Sequence, residues 1–515
     1  MVYGGKPSTG CHLCRKRKIK CDEGRPGCRN CSVYGRPCPG YRPDPVFRNE
    51  TRKVERLARK DGSSSSGSVS ESQSSTSTPT ESGVIEIHRG NPTRAHPLAM
   101  LHIADSTWEQ RALCYFFDQY TVSSQSAEGA SHLEYVPSFY SRAIETNDRT
   151  LSSTCFRHAV EATSLMTFAN ISNAPPLMIK ARQGYGRALS HLRHALARPA
   201  TALQDETFAA VVLLSLFEDI SGERNGLYSS HTAGFEFLMK VRGEDQLEST
   251  IGRDMFNFAF THTFVEILAL GDKPRYEIDW AQSLLDSNDP VERLMLAAFK
   301  ISSLMLSMQS TSKKPDQTTV ESWIASGRVC DFELSQWSLH LPDRWLPLVV
   351  YSAQGEPLIT YNYISYAVVW HYYRAARVML QQLLLSLNQS LLTIINKKST
   401  LGASTSTQSS LNEGSIRATI QEMTTDVCRS IPFCLGDVDT LGRSIRSGEG
   451  NWTMRAGQGY GMLWPMWYIL SCGMPSPAQS TQIRSVLTRV GSTLGIKLAL
   501  VLAREAEKIR GEGPE

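Results

Sequence analysis

The chain has 515 residues, of which 41% are hydrophobic and 20% charged, apolar material enough for roughly two to four globular domains. Its net charge is only +4, yet residues 1–60 hold 16 Lys or Arg against 5 Asp or Glu, so that end carries +11 and the remainder −7. Cationic charge gathered at one end points to an anionic polymer. Met1 to Thr9 has no apolar run, which argues against a secretory leader and a secreted disulfide framework.

In chain order, residues 1–10 are polar and glycine-rich, and disorder is expected there. Six cysteines follow, Cys11, Cys14, Cys21, Cys28, Cys31 and Cys38, with gaps of two, six, six, two and six residues. One unit is written twice: Cys11-His12-Leu13-Cys14 with Cys21, and Cys28-Arg29-Asn30-Cys31 with Cys38. Thiolates are soft anionic ligands, and zinc takes four of them in a tetrahedron. Three ligands per half satisfy two zinc ions only if two sulfurs bridge, and the pseudo-symmetry assigns the bridges to the first cysteine of each half, Cys11 and Cys28. So short a segment cannot bury a useful core, so bound metal must supply its folding energy. Cysteine alone does not name the metal, and an iron–sulfur cluster is the alternative ion chemistry. Between Cys14 and Cys21 runs Arg15-Lys16-Arg17-Lys18-Ile19-Lys20, readable as a solvated face, an import signal or a nucleic-acid contact.

Cys11 to Cys38, with Lys18 in the basic run and Pro26 between the halves, resembles the fungal binuclear zinc cluster, Zn2Cys6, of fungal transcription regulators. That resemblance implies two Zn2+ ions per chain and two short helix-plus-strand units. It implies a helix that enters the major groove of double-stranded DNA and reads CGG-like half-sites. Lys18 matches the family's main base contact and Arg17 its helper, where lysine is usual. Arginine can bind guanine O6 and N7 with one fork. Arg15, Lys16, Lys20 and Arg42 complete the expected DNA-binding set. The resemblance also implies a nuclear regulator of RNA polymerase II genes, often metabolic or secondary-metabolite genes.

Residues 39–60 form a basic post-cluster segment expected to track the phosphate backbone. Within it RNETRKVERLARK (48–60) reads as a short helix with Arg52, Lys53, Arg56, Arg59 and Lys60. It holds only one a/d-like step, Val54 and Leu57, too little for a dimerising zipper. Residues 61–105 read as a linker, Ser/Thr-rich over 61–83, with too little apolar surface to fold.

From Ser106 to residue 510 the pattern turns helical. Ser106-Thr107-Trp108-Glu109 reads as a capping box. Leu113, Phe116, Phe117 and Tyr120 share one helical face. Helices are predicted near 152–170, 177–197, 205–220 and 228–242, the third of these apolar nearly all round and therefore central. More are predicted near 253–270, 290–308, 317–338, 360–395, 414–429 and 480–509, with 397–413 as a disordered insertion. The prediction is a large all-α regulatory domain behind a small zinc-stabilised one. It resembles the fungal-specific transcription factor domain through Tyr228, His231, Gly234, Leu238, Arg242 and Gly243. Phe47, Glu50, Thr51 and the run Trp464-Pro465-Met466-Trp467 also fit. Such a domain is expected to regulate, to self-associate as a homodimer or to receive transcriptional co-regulators.

Ala456–Ile483 and Val378–Asn396 are uncharged, but Gly and Pro break the first and Gln and Asn the second, so no membrane contact is predicted. No nucleophile elbow, phosphate loop or zinc-protease motif occurs, so an enzyme is not predicted. His191 and His194 share a helix face without a further ligand at matching spacing, and His231 reads as a packing or capping residue. The methionines near Trp464 read as core. The competing function is a helical interaction or sensor protein whose zinc cluster is structural, its basic face binding RNA or an acidic protein patch.

Overall fold

A computed structural model describes residues 10–24, 26–40, 107–121, 133–146, 148–224, 227, 229–270, 282–283, 285–310, 314–398, 406–445, 454–472 and 474–510. They fall into two units, one within Met1–Asn91 and one within Pro92–Glu515. The expected segments 41–60 and 61–105, with Arg42, and the positions Phe47, Glu50, Thr51 and Tyr228 lie outside the described residues.

The first unit is two copies of one turn of helix. α1 (His12–Lys16) and α2 (Arg29–Val33) each begin at a cysteine, and the sulfurs of Cys11 and Cys28 accept the amides of Cys14 and Cys31. Both close on the same C-terminal motif. Ile19 N–H reaches Cys14 O and Lys18 N–H reaches Arg15 O; in the second copy Arg36 reaches Cys31 and Gly35 reaches Ser32. That double bond pattern needs a left-handed residue, supplied by Lys18 (φ 55°) and Gly35 (φ 72°). Instead of the implied strands, residues 19–24 and 37–40 are irregular, because left-handed Lys18, Glu23, Gly35 and Gly40 break the extended backbone a ladder needs.

The second unit is helical. α3 (Trp108–Tyr120) starts in a capping box of Thr107 with Gln110, one residue beyond the box predicted from Ser106 and Glu109. α4 (Tyr135–Glu145), α5 (Leu151–Ser172) and α6 (Pro175–Leu196) follow. α6 opens on its prolines, not after them, because proline at the first turn forfeits no hydrogen bond. After the single turn α7 (Pro199–Ala202) comes α8 (Asp205–Ser221), buried from Thr207 to Ile220. It is central as predicted: α5, α6, α9 (Thr232–Arg242), α10 (Thr250–Leu270) and α17 (Lys497–Arg510) all pack on it.

α11 (Pro290–Ser310), α12 (Gln317–Leu339), α13 (Ile364–Lys398) and α14 (Ser406–Cys434) pack in succession. An antiparallel hairpin, β1 (Leu348–Tyr351) with β2 (Pro357–Thr360), interrupts them and lies on α14. α14 extends eight residues into the expected 397–413 insertion. Ile416, Ile420, Met423 and Val427 bury one face of it, and adding Ser, Thr or Asn to an existing helix costs only a few tenths of a kcal/mol each. The predicted 480–509 helix is two, α16 (Pro477–Thr493) and α17, divided at left-handed Gly495.

α15 (Ala456–Ser471) crosses α3, α13, α16 and α17. It runs through Gly457, Gly459, Gly461 and Pro465, where composition suggested irregular chain. A Cβ on Gly459 would stand 2.6 Å from Leu494 Cδ1, and one on Gly461 2.7 Å from Val368 Cγ1. Close approach of neighbouring helices thus outweighs the helix penalty of glycine, about 1 kcal/mol each. α13 is long and apolar enough to cross a membrane by length and composition. It packs on α11, α12, α14 and α15 and buries His371 and Arg374 within that contact.

Candidate metal centre and nucleic-acid interface

The six sulfurs of the first unit converge: Cys11, Cys14, Cys28 and Cys31 are buried, and Cys21 and Cys38 are half-buried. Cys11, Cys14, Cys21 and Cys28 form one set whose sulfurs lie within 4.8 Å of one another, and Cys11, Cys28, Cys31 and Cys38 form a second. Cys11 and Cys28 belong to both sets. Their sulfurs are 3.6 Å apart, Cys14 to Cys28 is 3.6 Å, and Cys11 to Cys31 is 3.5 Å. A disulfide is about 2.05 Å; the edge of a tetrahedron with zinc–sulfur bonds of about 2.3 Å is roughly 3.8 Å. The donor set and its spacing therefore fit zinc.

Electrostatics divide five of the six. Burial pushes the Cys14 thiol up to about 12, helped by hydrogen bonds among the sulfurs, and raises Cys28 and Cys31 as well. The backbone amides of Cys11 and Glu23 pull Cys21 down to about 7, and those of Cys28 and Gly40 do the same for Cys38. Cys21 and Cys38 are thus poised as thiolates, whereas Cys14, Cys28 and Cys31 hold their protons more tightly and release them on binding a metal.

Arg15, Lys16, Arg17, Lys18 and Lys20 are all exposed. The frame beneath them is fastened by Asn30 Nδ2 donating to Lys20 O at 2.7 Å and Arg29 N–H donating to Asp22 Oδ2 at 2.9 Å. That amide, ahead of the Arg29 charge, holds the Asp22 carboxyl below its usual value. Sequence reasoning passed over Asp22, Asn30 and Tyr34. The Arg17 guanidinium lies on the Tyr34 ring, 3.5 Å from its centroid. In the second half Tyr34 stands where Arg17 does in the first, and Gly35 where Lys18 does.

In the helical unit, His191 stacks on His158 with centroids 5.2 Å apart, and His194 Nδ1 contacts its own helix at Ser190 O. Among the described residues the metal-competent groups are the two cysteine sets. His231 is buried at the start of α9, 3.2 Å from the Tyr185 hydroxyl and 3.6 Å from Glu218. Arg224 bonds Asp219 at 2.9 Å, reaches Glu266 at 3.4 Å and lies 5.5 Å from the Trp464 ring centroid. Burial pushes the Asp219 carboxyl up, but Arg224 and His262 outweigh it and leave it below the ordinary value. Ser215 and Asp219 both approach His262 at Nε2, at 3.0 and 3.5 Å. A nucleophilic triad needs its carboxylate on Nδ1, so these three form a core network. Met454, Met462 and Met466 lie in the core.

Residues 9–45 match the model of the fungal Zn(2)-Cys(6) binuclear cluster domain. Residues 147–430, more than half the chain, match that of the fungal specific transcription factor domain. The chain belongs to the fungal Zn(2)-Cys(6) transcription factor family. Within this family, the aspercryptin biosynthesis cluster-specific transcription regulator atnN of Emericella nidulans is 54% identical over 39 residues, 8% of this chain and 6% of that protein. The Zn(2)-C6 fungal-type transcription factor afumD of Aspergillus fumigatus is 55% identical over 38 residues, 7% of this chain and 10% of its own length. Uncharacterized protein AN5342 of Emericella nidulans is 29% identical over 167 residues, 30% of this chain and 36% of that protein. The chain thus aligns with little more than a third of the length of these curated relatives at most. No solved structure matches it.

Proposed function

We propose that this chain is a nuclear, zinc-dependent, sequence-specific regulator of transcription. Cys11, Cys14, Cys21, Cys28, Cys31 and Cys38 hold two zinc ions, with Cys11 and Cys28 bridging. Two bound zinc ions would offset four of the six thiolate charges and fix α1, and the basic run then meets DNA. Lys18 and Arg17 read base edges of a CGG-like triplet, and Arg15, Lys16, Lys20 and Arg42 contact phosphates. Residues 39–60 follow the backbone, 61–105 link, and 106–510 regulate, by self-association or by receiving co-regulators. Control of metabolic or secondary-metabolite genes is the reading suggested by the likeness to atnN, a biosynthesis cluster-specific regulator.

One observation carries base reading by Lys18. Its backbone is left-handed at φ 55°, where the second half has Gly35. That conformation costs a non-glycine residue about 1–2 kcal/mol, so a lysine kept there points to a use for its side chain. Selection from a randomised duplex DNA library on the full chain, with zinc and with chelator, tests the reading. Zinc-dependent enrichment of CGG-like triplets is expected. Zinc-loaded protein that enriches no sequence would favour the rival, a structural cluster that binds RNA or acidic proteins.

A further inference from the structure

The contact between Arg17 and Tyr34 joins the two halves at equivalent places. Arg17 is the C-cap of α1 and Tyr34 the C-cap of α2. Each directly precedes the left-handed residue of its half, Lys18 or Gly35. The guanidinium carbon lies 3.5 Å from the ring centroid, which is van der Waals contact with the ring face and well inside the range of a cation–π interaction. Arg36 lies 6.0 Å from the same ring, at the edge of that range. Tyr34 thus holds one cation closely and another loosely.

The whole basic run is exposed. Among the described residues Arg17 is its one member resting on an aromatic ring, and its guanidinium has no carboxylate partner there. An ion pair would occupy the N–H edge of the fork. A stacked ring occupies only its face and leaves the edge available for a planar acceptor pair. Freezing a long side chain before binding also removes part of the ordering cost that a flexible one pays on binding. Arg17 directly precedes Lys18, so a fork held there adjoins the base contact proposed above.

We propose that Tyr34 is a positioning residue for DNA recognition: it holds the Arg17 guanidinium as a preset fork, so that the second half of the cluster sets base preference beside the Lys18 contact. The inference rests on the base-reading function proposed above. It assigns to Tyr34 no contact with DNA of its own.

The test uses the full, zinc-loaded chain and duplexes from the randomised-library selection. Affinity for the selected site is compared with affinity for sites changed at one base pair at a time, alongside zinc content and salt dependence. Tyr34→Ala is expected to keep both zincs and to lose about two- to fivefold discrimination at one base pair, the size of an exposed cation–π contact. Tyr34→Phe keeps the ring face and should match the wild type. Tyr34→Leu keeps apolar bulk without the π face and should behave as Tyr34→Ala, which covers the case that alanine disturbs the fold. Arg17→Lys should lose the same preference with Tyr34 present, and Tyr34→Ala should add nothing to Arg17→Ala. Wild-type discrimination in Tyr34→Ala and Tyr34→Leu would overturn the inference, as would additivity of the Arg17 and Tyr34 changes. So would a uniform loss on every sequence with a shallower salt dependence, which marks a phosphate contact. A loss in Tyr34→Phe would move the role to the hydroxyl and overturn it too. If the wild-type chain itself prefers no sequence, the base-reading function fails first, and that result needs no variant.

Discussion

Lys18 carries two separable effects, a backbone cost and a side-chain contact. Lys18→Gly removes both the left-handed strain and the ammonium. Zinc binding and thermal resistance of the cluster should be retained or raised by up to about 1–2 kcal/mol. Discrimination between the selected triplet and scrambled sites should fall by about 1–3 kcal/mol. Competition binding beside a zinc titration reads both, and unchanged discrimination would move the base contact elsewhere. The shared sulfurs carry a second prediction. Cys11→Ala or Cys28→Ala should disturb both metals, because each belongs to both sets. Native mass spectrometry showing a mutant with one intact zinc and its own four ligands would contradict the bridges. The clustering of the six cysteines and the basic run between them were legible in the sequence, since soft thiolates at fixed gaps leave few alternatives. Tyr34 and Asp22 were not, because a ring under a guanidinium and a carboxylate on a helix amide are contacts across the two halves.

Among the elements, most helices written with apolar residues at helical spacing were predicted; α4 was not, although Tyr135, Val136, Phe139, Tyr140 and Ala143 share one face of it. α8 is apolar nearly all round and lies at the centre. α15 carries three glycines and a proline in its span, and local propensity argues against it. Its neighbours decide it, through approaches that a Cβ would block. Glycines in different helices should therefore respond oppositely. Gly186 in α6 is exposed with nothing within 4 Å of an added Cβ, so Gly186→Ala should stabilise by about 0.5–1 kcal/mol. Gly461→Ala forces a Cβ to 2.7 Å from Val368 Cγ1 and should cost about 1–3 kcal/mol. Thermal unfolding of the two variants in parallel checks the pair, and equal shifts of the same sign would refute the packing account of α15.

At the scale of the whole molecule, metal and core sustain different units. Chelation should abolish DNA binding and unfold Cys11–Cys38 while leaving the far-ultraviolet helical signal nearly unchanged; a large loss of helix would show that the second unit also depends on metal. The second unit should instead be acid-sensitive through His371. Burial, then the nearby Arg374 charge, pushes that imidazole from 6.5 down to about 3. Between those values the unfolded chain binds the proton and the native one does not, so stability falls as pH drops, by at most about 1.4 kcal/mol per unit. His371→Gln, which can still reach Ser430, should flatten that slope; an unchanged slope between pH 6 and 4 would assign it to other groups. The sequence by itself determined the cluster of six cysteines, the basic run beside it and the helical class of the larger part, because spacing, charge and period are properties of neighbours along the chain. Only the tertiary structure decided the Arg17–Tyr34 contact, the passage of α15 through its glycines and the burial of Arg224 beside Asp219 and Glu266. Each of these joins residues distant in sequence, and their energies come from distance and exclusion of water, which no local pattern encodes.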